Sequence, residues 1–116
     1  MNNLGKPDLI QQEMEFASQA DRLIRDLGTY GMAKANAEHD YKVAMSETAL
    51  QMKAGGIPAT LINTVIHGYG DVAKLRLKRD IAESQYEVVK ESINLLKYQI
   101  KIVENQINRE WGRSGE

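Results

Sequence analysis

Between residues 71 and 111 the chain contains neither glycine nor proline, and this stretch constrains the fold more than any other. Its apolar residues recur at alternating steps of three and four: Val72, Leu75, Ala82, Tyr86, Val89, Ile93, Leu96, Ile100, Val103 and Ile107, with Arg79 interrupting the row. Such spacing is a heptad-like seam, the pattern of a long packed helix. At 1.5 Å per residue the helix runs roughly 60 Å. A second row, Ile81, Val88, Leu95 and Ile102, repeats every seventh residue, about 100° around the axis from the row containing Ala82 and Val89. The apolar arc is therefore wider than one partner helix covers.

The first half of the chain carries the same period. Pro7 suits a first helical turn, and Asp8 suits the positive end of the helix dipole; residues 1–6 are expected to fray. From there Phe16, Ala20, Leu23, Leu27, Tyr30, Lys34, Ala37, Tyr41, Ala44 and Thr48 step by four and three, with Met45, Ala49 and Met52 widening the stripe. Gly28 and Gly31 each cost about 1 kcal/mol relative to alanine in a helix. They mark a break, a kink or a close approach of another helix. The spacing passes through them in phase, which favours a continuous or kinked helix over 7–54.

Lys53-Ala54-Gly55-Gly56-Ile57-Pro58 is the clearest punctuation. A cation in the last turn and glycine just beyond it stop a helix, and the residue before a proline is driven to extended backbone. A short helix over 58–67 follows, with Leu61, Ile62, Val65 and Ile66 as its apolar face. Gly68-Tyr69-Gly70 ends it, Asp71 is placed to N-cap the long helix over 71–111, and 112–116 reads as a polar tail. The expected fold is all-α, one helical domain over 1–116. It is a long, coiled-coil-like hairpin with a short tip helix, assembling into an oligomeric bundle.

Assembly is expected because leaving Ile81, Val88, Leu95 and Ile102 in water forfeits on the order of 1.5–3 kcal/mol for each side chain that could be buried, and leaves an aggregation-prone patch. These four residues are the expected oligomer interface. The alternative is a first helix split at 28–31 whose two parts cover both rows within one chain.

Composition narrows function mainly by exclusion. A net charge of −1 gives the whole chain no electrostatic pull toward nucleic acid or anionic membrane, so direct DNA binding is not expected. No cysteine is present, which removes disulfides, thiolate metal sites and cysteine nucleophiles. No secretory leader or membrane-spanning run is read, and a cytoplasmic location is expected.

The best candidate site is the junction from Thr60 to Arg79. Thr60, Thr64, His67, Tyr69, Lys74 and Lys78 lie beside two glycines and a helix N-terminus, where free N–H groups and cations hold phosphate or carboxylate. Lys74 and Lys78 share a face, whereas Arg76 points elsewhere and Asp71 and Asp80 oppose the charge. A solvated basic face with ion pairs is the competing reading. Glu38-His39-Asp40 are adjacent on a helix, point apart, and make no metal site. Glu83 and Glu87 are four apart on a helix surface and read as solvated charges. No Gly-x-Ser-x-Gly context surrounds any serine. No catalytic residue, metal or cofactor is therefore expected, and the chain is not read as an enzyme. Trp111 either anchors a partner or packs on the open end of the bundle.

Residues 37–68 and 72–112 present a helix–Gly-x-Pro–short helix–Gly–long helix order that closes on Gln106-Ile107-Asn108-Arg109-Glu110-Trp111. In this order and ending the chain resembles, over roughly 30–112, a group of small helical proteins encoded by phages and prophages of Gram-positive bacteria. The resemblance implies an early phage protein in the cytoplasm of an infected host and assigns no site residues. It suggests a non-enzymatic binding protein that counters host defence by sequestering a ligand, either a nucleotide immune signal or a host protein. The alternatives are an accessory factor for phage DNA replication or recombination, and a coiled-coil scaffold.

Overall fold

The computed structural model describes residues 5–114. The chain is almost wholly helical: α1 spans Lys6–Ala54, α2 Ala59–Val65, a 3-10 turn Ile66–Gly68, and α3 Gly70–Ser114. No strand occurs among the described residues. Helices α1 and α3 pack against each other as the two arms of a hairpin.

The inward faces are the ones the spacing predicts. On α1, Phe16, Ala20, Leu23, Leu27, Tyr30, Lys34, Ala37, Tyr41, Ala44 and Thr48 are all buried or half-buried. On α3 the same holds for Val72, Leu75, Arg79, Ala82, Tyr86, Val89, Ile93, Leu96, Ile100, Val103 and Ile107. Helix α1 runs unbroken through Gly28 and Gly31. A Cβ at Gly28 would meet nothing within 4 Å, and one at Gly31 would touch the Tyr86 ring at 3.5 Å. Neither glycine breaks the helix, and Gly31 lies in ordinary contact with α3.

The chain forms two compact units, one comprising the residues up to Gly28 and from Val88 onwards, the other Thr29–Glu87. In the first, Leu9 of α1 and Val89, Ile93, Leu96 and Val103 of α3 are buried. In the second, Tyr41, Met52, Ile62, Ile66 and Val72 form a cluster, with Ala44, Met45, Ala49, Ile57 and Leu75 packed on it. Val72 is wholly buried there.

The turn after α1 follows from its glycines. Gly56 has φ +84°, the left-handed region that glycine enters without a Cβ clash. The Ile57 N–H donates to the Met52 carbonyl and the Gly56 N–H to the Lys53 carbonyl, both at 3.0 Å. This 6→1 and 5→2 pair is a Schellman motif, and it sends Ile57 back onto the cluster containing Met52. Pro58 is extended, and its carbonyl accepts from the N–H groups of Leu61 and Ile62.

Three local expectations need correction. The tip is not one helix over 58–67: α2 ends at Val65 and a 3-10 turn carries the chain to Gly68, closed by the Tyr69 N–H donating to the Ile66 carbonyl. Asp71 is not the N-cap of α3. The extended residue is Tyr69, whose carbonyl accepts from the Ala73 N–H at 2.8 Å, so the helix begins one residue early and Asp71 lies in its first turn. A carboxylate there still favours the dipole. Gly112 does not begin a tail, because α3 continues through it to Ser114; glycine lowers helix stability without forbidding it. Of the N-terminal residues expected to fray, 1–4 lie outside the described residues, and α1 already begins at Lys6. The last two residues of the expected tail, 115–116, also lie outside them.

Candidate functional site: the polar seam and the tip

Four seam positions pair a cation with an aromatic ring across the two helices: Lys34 and Tyr41 on α1, Arg79 and Tyr86 on α3. They meet crosswise. The Arg79 guanidinium lies 4.4 Å from the Tyr41 ring centre, and Lys34 Nζ lies 4.6 Å from the Tyr86 ring centre. A cation over a ring face gains about 0.5–1 kcal/mol at exposed sites and more when desolvated. Each pair therefore brings a charged head into the seam without stranding it, while its aliphatic stem covers apolar surface.

Arg79 is the centre of a larger network. It donates to Asp80 Oδ1 from Nη2 at 2.9 Å and from Nε at 3.1 Å, and its Nε lies 3.7 Å from Glu38. Glu38 also pairs with Lys42 one turn along, at 3.4 Å. The hydrogen bond to Asp80 is the largest cause raising the arginine pKa above its already high value, so Arg79 is a fixed cation. Beside these groups lies an open cleft of about 470 Å³, lined by Gly31, Lys34, Ala35, Glu38, Arg79, Glu83 and Tyr86. Its cations face either an aromatic ring or a carboxylate.

The tip residues are placed differently from one another. His67 Nδ1 shares a 3.0 Å hydrogen bond with the hydroxyl of buried Tyr41, the donor being set by the His67 tautomer. That nitrogen faces the core cluster. The Thr64 hydroxyl donates to the Thr60 carbonyl one turn back, at 3.0 Å. Thr60, Tyr69, Lys74 and Lys78 are exposed, with Tyr69 52% accessible. The structure thus joins Thr60 to Thr64 and ties His67 to Tyr41, which spacing alone did not single out as its partner.

Among the described residues no group of three or more His, Asp or Glu side chains is placed to hold a metal ion. His39 Nδ1 lies 3.4 Å from its neighbour Asp40 at an exposed position. No helix among the described residues is long and apolar enough to cross a membrane.

Comparison with known protein families, curated proteins and solved structures finds no match. The site must be read from its own chemistry.

That chemistry points outward along α3. Ile81, Val88, Leu95 and Ile102 are 49%, 65%, 59% and 44% accessible, although the seam beside them is covered. Leu77 and Tyr98 are exposed as well, at 61% and 66%. Leu77, Ile81, Val88, Leu95, Tyr98 and Ile102 keep the three–four period, with Ser84 and Glu91 filling its two gaps. Helix α3 therefore bears two seams, roughly 150° apart at 3.5 residues per turn. Sequence reading found the seven-residue row and missed Leu77 and Tyr98; the signal was the three–four step that joins them to it.

Proposed function

We propose that this protein works by binding rather than by catalysis, and that it is a self-associating helical hairpin that sequesters its target. The single observation carrying this reading is the outer seam of α3, apolar and in heptad register yet exposed. A heptad seam is a helix-docking surface, and several exposed large apolar side chains in one row are costly unless something covers them. The resemblance to small phage-encoded proteins supplies the setting: the cytoplasm of an infected bacterium, with the target a component of host defence.

Two chemistries compete for the target. A host protein suits the apolar and aromatic surface that self-association leaves open, the cleft beside Tyr86 among it. A nucleotide signal would need the tip, where exposed Lys74 and Lys78 offer charge but the His67 Nδ1 is engaged by Tyr41. The protein target is therefore the better supported.

Native mass spectrometry of gently purified protein, with a pull-down from host lysate, tests the reading. A discrete oligomer that captures a defined host protein supports it. A monomer that captures nothing overturns it. An oligomer that retains a nucleotide, and loses it on Lys74→Ala and Lys78→Ala substitution, moves the target to the tip.

A further inference from the structure

The outer seam of α3 is not only sticky; its flanking charges specify a direction. The residues bordering it on one side are Glu87, Asn94 and Lys101, and on the other Gln85, Ser92 and Gln99. All but the half-buried Ser92 are exposed, and among the described residues neither Glu87 nor Lys101 takes part in an ion pair within the chain. The exposed large apolar residues of α1 — Ile10, Met14, Ile24, Met32, Val43 and Leu50 — form no comparable run. The surface that matches the outer seam is therefore the same seam on a second copy.

Two orientations are open to such a pair, and they differ electrostatically. In a parallel, in-register pair, residues on one border meet those on the other border of the second helix. Glu87 would then meet Ser92 and Lys101 would meet Gln106, so no ion pair forms. Glu91, which sits inside the seam, would face Glu91 of the second copy. Like charges in register are unfavourable, and a carboxylate pair inside a seam more so. In an antiparallel pair each border meets itself. With Asn94 near the two-fold axis, Glu87 of one copy comes opposite Lys101 of the other, twice by symmetry. The seam layers then place Val88 against Tyr98 and Glu91 against Leu95, which separates the two Glu91 carboxylates. Such a pair is isologous and closes on itself without forming a filament.

We infer that this protein forms an antiparallel homodimer through residues 87–102 of α3, with reciprocal Glu87–Lys101 ion pairs setting the orientation. The inference rests on the self-association proposed above and adds its geometry.

The test uses the full chain in sedimentation equilibrium, with circular dichroism reporting the fold. Glu87→Lys and Lys101→Glu each replace two attractive pairs by two repulsive ones, and each weakens the dimer roughly ten-fold at low salt. The double variant Glu87→Lys/Lys101→Glu restores both pairs in reverse and recovers the dimer. Because the chain has no cysteine, Asn94→Cys gives a single thiol. A short bismaleimide then links two copies across the axis of an antiparallel pair, whereas a parallel pair holds these thiols on opposite sides. Charge-swap rescue together with cross-linking at residue 94 supports the inference. Self-association with neither rescue nor cross-link overturns the antiparallel geometry and leaves self-association standing. A wild-type chain that stays monomeric overturns both.

Discussion

The guanidinium of Arg79 stacks over the ring of Tyr41 at 4.4 Å. Seven residues along each helix, the Lys34 ammonium lies over the Tyr86 ring at 4.6 Å. The order along the chain is the same on both helices, cation then ring, so antiparallel packing sets each cation against the ring of the other helix. Two such crossed pairs pin the antiparallel register of this unit. A slip of either helix by one turn would place a cation against an aliphatic side chain.

The Arg79–Tyr41 contact is a specific one, and lysine should not replace arginine there. Lysine cannot stack a planar group on Tyr41 while donating twice to Asp80. Arg79→Lys is expected to cost about 1 kcal/mol in urea unfolding. A double-mutant cycle of Arg79→Met with Tyr41→Leu should give a coupling of about 0.5–1 kcal/mol. A coupling near zero would remove the pair's role in register.

Tyr41 has a second partner in His67, and removing only its hydroxyl isolates that contact. Tyr41→Phe keeps the ring under Arg79 and deletes the 3.0 Å hydrogen bond. The expected loss is about 1 kcal/mol, seen as a lowering of the melting temperature by a few degrees. An unchanged melting temperature would mean that water serves His67 equally well.

The period of three and four made both helices and their inner faces legible, down to Lys34 and Arg79 as seam members. What those two residues contact was not legible. Each reads as an interruption until the register across the hairpin is known, and register depends on the geometry of Gly56 and Pro58 at the tip. The Tyr41–His67 bond was hidden for the same reason: it needs the 3-10 turn to bring His67 back toward α1. The stop at Gly55–Gly56 was readable because left-handed backbone has a residue signature. The start of α3 was not, since the N-capping position falls on Tyr69, a residue with no capping side chain. The outer row was read as too much apolar surface for one partner, and its exposure follows from α1 covering only the inner seam.

The glycines should respond to alanine with opposite signs. Gly56→Ala places a Cβ at φ +84° and should destabilise by about 1 kcal/mol. Gly28→Ala adds a Cβ where nothing lies within 4 Å on an exposed helical face, and should stabilise by up to about 1 kcal/mol. Thermal unfolding of both variants checks this. If Gly28→Ala destabilised instead, α1 would need glycine at this point of the helix.

The outer seam of α3 is where the functional account is most exposed. Sedimentation equilibrium of the wild-type chain beside Val88→Glu/Leu95→Glu measures it directly, since both side chains face solvent in the single chain and their replacement leaves the inner seam intact. The account predicts a wild-type mass of twice the monomer, and a variant that is monomeric with undiminished helical content. A wild-type chain at monomer mass across the accessible concentration range would contradict it.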